Sequence, residues 1–156
     1  MSQSAIAQDT PASITGLLVP LADRTLLLPN VAVAELIPYR APQPAQDAPA
    51  WFLGQVSWRD LTLPLLSFEA ASDGQAETGA RARVAILNAV GGRDHVKFIA
   101  LLVQGIPRSV KVDPSLARSD IVPAPLELDV VNLGDVQARI PDLVALEQKL
   151  ADAGLV

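Results

Sequence analysis

Trp51-Phe52-Leu53-Gly54-Gln55-Val56-Ser57-Trp58-Arg59-Asp60-Leu61-Thr62-Leu63-Pro64-Leu65-Leu66-Ser67-Phe68 is the stretch that decides the fold. Two largely apolar runs flank the dipeptide Arg59-Asp60. On the first run Val56 and Trp58 point one way while Gln55, Ser57 and Arg59 point the other. A period of two is that of a strand with one buried face, so the segment reads as a hairpin turning at Arg59-Asp60. Proline cannot donate to a ladder, which places Pro64 at an edge or a bulge.

Working outward, the same logic yields more short strands. Residues 14–21 and 25–29 flank the polar turn Ala22-Asp23-Arg24 and read as a second hairpin. Residues 31–37 alternate Val31, Val33, Glu35, Ile37 against Ala32, Ala34, Leu36. That pattern suggests a strand with Glu35 on the more exposed face, a helical turn being the alternative. Residues 39–50 contain Pro42, Pro44 and Pro49, with Pro38 just before, and form an extended surface loop. Residues 70–79 are polar and poor in bulky side chains, the best place for a division between two subunits.

Downstream, residues 82–90 and 95–106 read as strands joined at Gly91-Gly92-Arg93-Asp94. The run Phe98-Ile99-Ala100-Leu101-Leu102-Val103 is apolar enough to be central and buried on both faces. Residues 107–128 are interrupted by prolines, with Val110-Lys111-Val112 as a short strand and Val122-Pro123-Ala124-Pro125 as an extended connection. Only the C-terminus reads as helix. Pro141 and Asp142 suit its first turn, Leu143, Leu146 and Leu150 share one face, and Gly154 sits where a cap belongs.

Composition bounds the function. A chain of 156 residues matches one domain, and residues 13–152 are expected to form it behind a disordered tail, residues 1–12. Half the residues are apolar but only 4% are aromatic, so the interior is aliphatic. A net charge of -5 gives no field for phosphate backbones or anionic lipids, which argues against nucleic acid and membrane partners. No segment has the basic flank and apolar run of a secretory signal or the length of a spanning helix, so a cytoplasmic location is expected. The absence of cysteine removes disulfides, thiolate nucleophiles and sulfur-based zinc sites.

Catalytic chemistry finds little support. His95 adjoins a predicted turn, and no serine stands in a nucleophile-elbow sequence. Asp113, Asp120, Glu127, Asp129 and Asp135 match no calcium-loop spacing and read as solubilising charge, a carboxylate-dependent hydrolase being the weak rival. No phosphate-binding glycine loop is present. No cofactor, metal or catalytic residue is therefore expected. What remains is interaction surface: Trp51 and Trp58 read first as core residues, and Arg59 at a hairpin tip is free to meet a carboxylate. Many short strands and one late helix make the fold mostly β, a sandwich or a pair of small barrels sharing a core.

The run from Ala48 to Phe68 also resembles the central signature of CheW-like domains. There a short apolar stretch with Gly leads into an Asn-Leu-Arg-Gly or Asn-Trp-Arg-Gly turn and then a strand. The Trp-containing version is similar to the paralogues of type IV pilus and twitching-motility pathways, the PilI and ChpC type. Val31-Ala32-Val33-Ala34-Glu35-Leu36 resembles the family's Val-x-Glu-Ile/Val pattern, and the strand from Phe98 to Ile106 is similar to its later apolar strand. Departures fall at Asp60, in place of the turn Gly, at Ser67, in place of Asp, and at Gln104, in place of an acid. The resemblance implies two SH3-like five-stranded β-barrel subdomains sharing a core, with a C-terminal helix and no active site. It implies a scaffold of chemotaxis signalling that couples a methyl-accepting chemoreceptor to a CheA-type histidine kinase, and it assigns Val33, Glu35, Gly54, Arg59 and Gly105 to partner binding. An SH3-like module for extended or Pro-rich peptides is the alternative.

Overall fold

The computed structural model describes residues 14–44, 46–93, 96–113 and 116–155. The predicted tail, residues 1–12, and His95 lie outside them. Strands β1 (Ile14–Pro20) and β2 (Thr25–Pro29) pair antiparallel, with Pro20 opposite Thr25 and the turn closed by Leu21 N–H donating to the Arg24 carbonyl at 2.8 Å. A single 3-10 turn, Asn30–Ala32, precedes β3 (Val33–Pro38), so a helical turn and a strand follow one another, but Ala34 and Pro38 take the exposed face and Glu35, expected there, is partly buried on the side of Ile37.

The decisive hairpin forms as expected from β4 (Phe52–Trp58) and β5 (Leu61–Leu66), with Trp58 opposite Leu61. Arg59 (φ 48°) and Asp60 (φ 64°) are both left-handed, the twist that a two-residue hairpin turn requires. Pro64 stands in a strand flanked by β4 and, on the other side, β7 (Phe98–Val103). Parallel pairing with β7 begins only at Leu65, so the proline has a free side although β5 is not an edge strand.

The second apolar run was expected to stay extended to Phe68, but the strand ends at Leu66. Ser67 caps a short helix, α1 (Phe68–Ser72), its hydroxyl accepting from Ala70 N–H at 3.2 Å. The C-terminal helix is thus not the only one: five residues are too few to display a helical period in the sequence. β6 (Arg83–Asn88), β7 and β8 (Arg108–Val112) follow, then the two-residue β9 (Ala117–Arg118). β10 (Glu127–Leu133) and β11 (Val136–Pro141) make a hairpin turning at Gly134, which the proline-rich surroundings concealed.

Pro141 ends β11 instead of opening the helix. Asp142 caps α2 (Leu143–Asp152), its Oδ1 accepting from Ala145 N–H at 3.0 Å, and Gly154 takes φ 71° beyond the helix end.

The strands divide into a six-stranded sheet, ordered β8-β1-β2-β11-β10-β9, and a five-stranded sheet, ordered β3-β6-β7-β5-β4. One subdomain therefore has six strands where five were expected, counting β9. The chain changes sheet at the 3-10 turn and again between β7 and β8. Residues 70–80 lie within the segment that builds the five-stranded sheet, so the expected division there does not coincide with a change of sheet.

Strand β7 is central and buried on both faces, as its unbroken apolar run predicts. Ile99, Leu101 and Val103 join a core shared with Val19, Leu26 and Leu28 of the other sheet and with Phe68, Leu146 and Leu150 of the helices. Ala100 and Leu102 face Val56, Trp58, Leu65 and Ile86 inside the five-stranded unit. The six-stranded unit keeps its own small core around Leu18, Leu27, Val131 and Ala138. Each large aliphatic side chain so buried contributes about 1.5–3 kcal/mol, which offsets the scarcity of aromatic rings.

Candidate partner-binding site

The β4–β5 turn carries Arg59 out of the sheet with its side chain 70% exposed. A non-glycine residue in the left-handed region is strained, and two contacts hold it there. Its guanidinium stacks over the Trp58 ring, 4.7 Å from the ring centre, and Nη2 donates to Glu35 Oε1 at 3.0 Å. Trp58 is buried, as alternation predicts, and meets Phe98 edge to face at 4.8 Å. A buried indole N–H needs an acceptor, and Trp58 Nε1 finds the same Glu35 oxygen at 3.0 Å.

Glu35 comes from β3 and Trp58 from β4, the two outer strands of the five-stranded sheet. The carboxylate therefore closes the sheet on itself, helped by Arg40 Nη2, which donates to the Ser57 carbonyl at 3.2 Å. Around this closure Glu35, Arg40, Ser57, Trp58, Arg59 and Thr62 line an open cleft of about 580 Å³. Its chemistry is that of recognition: a cation stacked on an aromatic face, a half-exposed acid, and a guanidinium with donors turned to solvent.

Of the five residues assigned by resemblance, Glu35 and Arg59 touch. Val33 lies on β3 at a register shift before Glu35, half-buried against the shared core. Gly54 lies on β4 with φ 137°, and its missing side chain makes room for the Gln43 carbonyl of the chain's own loop, bridged to Gln55 by bonds of 2.9 and 3.0 Å. Gly105 follows the other end of β7 from Phe98, where a Cβ would come 3.1 Å from Pro20 at the junction of the sheets.

The sequence marks Trp58 first as a core residue and does not single out Arg40. An indole N–H forced inward beside an apolar strand was the available signal for the first, while nothing local marks the second. Trp51 is also buried, in the shared core, with Lys149 Nζ 5.4 Å from its ring centre.

Asp129 pairs with Arg118 at 3.0 Å, and Glu127 is held between two arginines. Among the described residues no three His, Cys, Asp or Glu side chains could jointly hold a metal ion, and no helix is long and apolar enough to cross a membrane.

Among curated protein sequences none matches the chain. Of solved structures, the scaffolding protein TtCheW from Thermoanaerobacter tengcongensis superposes with a TM-score of 0.71 at 16% identity, over 86% of this chain and 88% of that one. The likeness shows the fold, two SH3-like β subdomains with a C-terminal helix. The family model of the CheW-like domain matches residues 15–149, and the chain belongs to the CheW-like domain family.

Proposed function

We propose that this chain is a non-catalytic cytoplasmic adaptor coupling a methyl-accepting chemoreceptor to a CheA-type histidine kinase, in a chemotaxis or twitching-motility pathway of the type IV pilus kind. The observation that carries the reading is the Glu35–Trp58–Arg59 assembly, which joins two positions tied by resemblance to partner binding in a chain whose family match spans nearly its whole length. Val33, Gly54 and Gly105 complete the proposed contact set within a domain over residues 13–152. Gly54 and Gly105 act by letting backbone segments approach, and Val33 by setting the position of Glu35 on its strand. Arg59 supplies a charge-assisted bond across the contact. Individual contacts are weak, and multiplicity in an array strengthens them.

The test is capture of a CheA-type kinase and of a receptor's cytoplasmic fragment by the purified protein and by Arg59→Ala. The variant keeps its thermal midpoint to within about 2–4 °C, as for loss of a surface pair, and loses about tenfold or more in affinity. Unchanged binding removes Arg59 from the site. A protein that takes Pro-rich peptides but neither kinase nor receptor is instead a peptide-binding SH3-like module.

A further inference from the structure

Ala22-Asp23-Arg24 reads as an ordinary polar turn, yet the Arg24 side chain is only 6% exposed and holds together three separate parts of the chain. Its Nε donates to Asp23 Oδ1 at 2.7 Å, and Nη2 donates to Asp73 Oδ1 at 2.7 Å, just past α1. Nη1 donates to Ser72 Oγ and to Glu127 Oε2, both at 2.8 Å, the latter at the start of β10. The guanidinium also lies 5.7 Å from the centre of the Phe68 ring. Glu127, its side chain fully buried, shares its other oxygen with Arg139 of β11 at 2.8 Å. Beside this cluster Glu69, also fully buried, accepts from Ala22 N–H at 2.8 Å and from the Ser67 hydroxyl at 3.3 Å.

Asp23, Asp73 and Glu127 thus bond to Arg24, and Glu127 bonds to Arg139 as well, with Glu69 buried beside them. The bond from Arg24 holds the Asp23 carboxyl below its usual range, and the bond to Asp23 holds Arg24 above its own. Burial pushes the Glu69 carboxyl up. Without Arg24 the half-exposed Asp23 and Asp73 would lose their partner, and the buried Glu127 would keep Arg139 alone, so the buried end of the cluster bears most of the cost.

A helix of five residues has no stability of its own. Apart from the Phe68 and Ala71 side chains in the shared core, with Ala70 packed against it, α1 is held by its Ser67 cap, by the Glu69 bond to the β1–β2 turn, by the Ser72 hydroxyl donating to the Pro125 carbonyl and by Arg24. Each sheet, by contrast, retains an apolar core that includes none of these groups.

We infer that Arg24 is a clasp locking α1, which joins β5 to β6 of the five-stranded sheet, onto the six-stranded sheet, so that its release opens α1 and the β1–β2 turn together while both sheets stay folded. The device is independent of which partners the protein serves.

Amide hydrogen exchange on the full chain tests it, comparing wild type with Arg24→Met and Arg24→Lys. In Arg24→Met the amides of Phe68–Ser72 and of residues 21–24 exchange about tenfold faster or more, whereas those of Phe98–Val103 keep their rates. Arg24→Lys falls between, because a single ammonium does not span the carboxylates that a guanidinium fork reaches. Equal acceleration in β7, or none in α1, overturns the inference. Should Arg24→Met not fold, Asp73→Asn removes only the 55% exposed arm of the cluster. That variant must still accelerate α1 severalfold over β7, and equal rates in the two elements overturn the inference as well.

Discussion

Replacing Gly54 by alanine separates a residue needed for folding from one needed at a contact. The backbone there has φ 137°, a conformation that costs an L residue about 1–3 kcal/mol. The added Cβ would also run into the Gln43 carbonyl, so loop 39–44 must lift off β4 or the strand must shift. Lifting forfeits the two backbone bonds between Gln43 and Gln55, worth about 1 kcal/mol each. Together these give a loss of about 3–5 kcal/mol, a large share of the ~5–15 kcal/mol that holds a domain folded. For a chain of this size that lowers the thermal midpoint by about 6–20 °C.

Thermal and urea unfolding followed by circular dichroism measures the loss, with Gly92→Ala as the control. Gly92 has φ 76° but open space around its Cβ position, so it bears strain without collision and should cost only about 1 kcal/mol. A midpoint for Gly54→Ala within about 2 °C of wild type would refute the steric argument. Gly54 would then be free to serve a partner directly.

Trp58→Phe keeps a ring against Phe98 but deletes the N–H that Glu35 accepts. A charge-assisted bond of this kind is worth about 1–3 kcal/mol, to be read as a lower urea midpoint, and a change under about 0.5 kcal/mol would show that the closure does not need it. Glu69→Gln bears on pH. The folded-state pKa of Glu69 is raised above its ordinary 4.5 by burial, so its stabilising share is full below that value and is lost as pH rises through the raised one. The Gln variant lacks this loss, and its stability relative to wild type must therefore climb as pH rises above 4.5 in urea titrations. A difference that is flat or falls with pH contradicts the assignment.

Several features were legible because they are local. Alternation along residues 52–58 exposed the inward set Val56 and Trp58, since one face of that strand meets the core and the other meets water. The unbroken run of β7 announced burial on both faces. Asp142 and Gly154 bracket α2 through capping bonds made within a few residues, and the leucines between them face the shared core.

Short elements escaped for the opposite reason. α1 spans barely more than one turn, β9 spans two residues, and the β10–β11 hairpin carries polar residues such as Asn132, Gln137 and Arg139 among its apolar ones.

The aliphatic core, the main strands of both sheets, the closing helix and the family likeness were legible in the chain alone, because each is written in periodicity and turn chemistry over a few neighbouring residues. Only the tertiary structure decided which strands share a sheet, that Glu35 closes the β3–β4 seam from 23 positions before Trp58, and that Arg24 reaches Glu127 across 103 positions. A hydrophobic pattern says which face must leave water but not what it will meet. Charged side chains carry no such pattern, and their partners are chosen only when the packed sheets bring distant carboxylates within bonding distance.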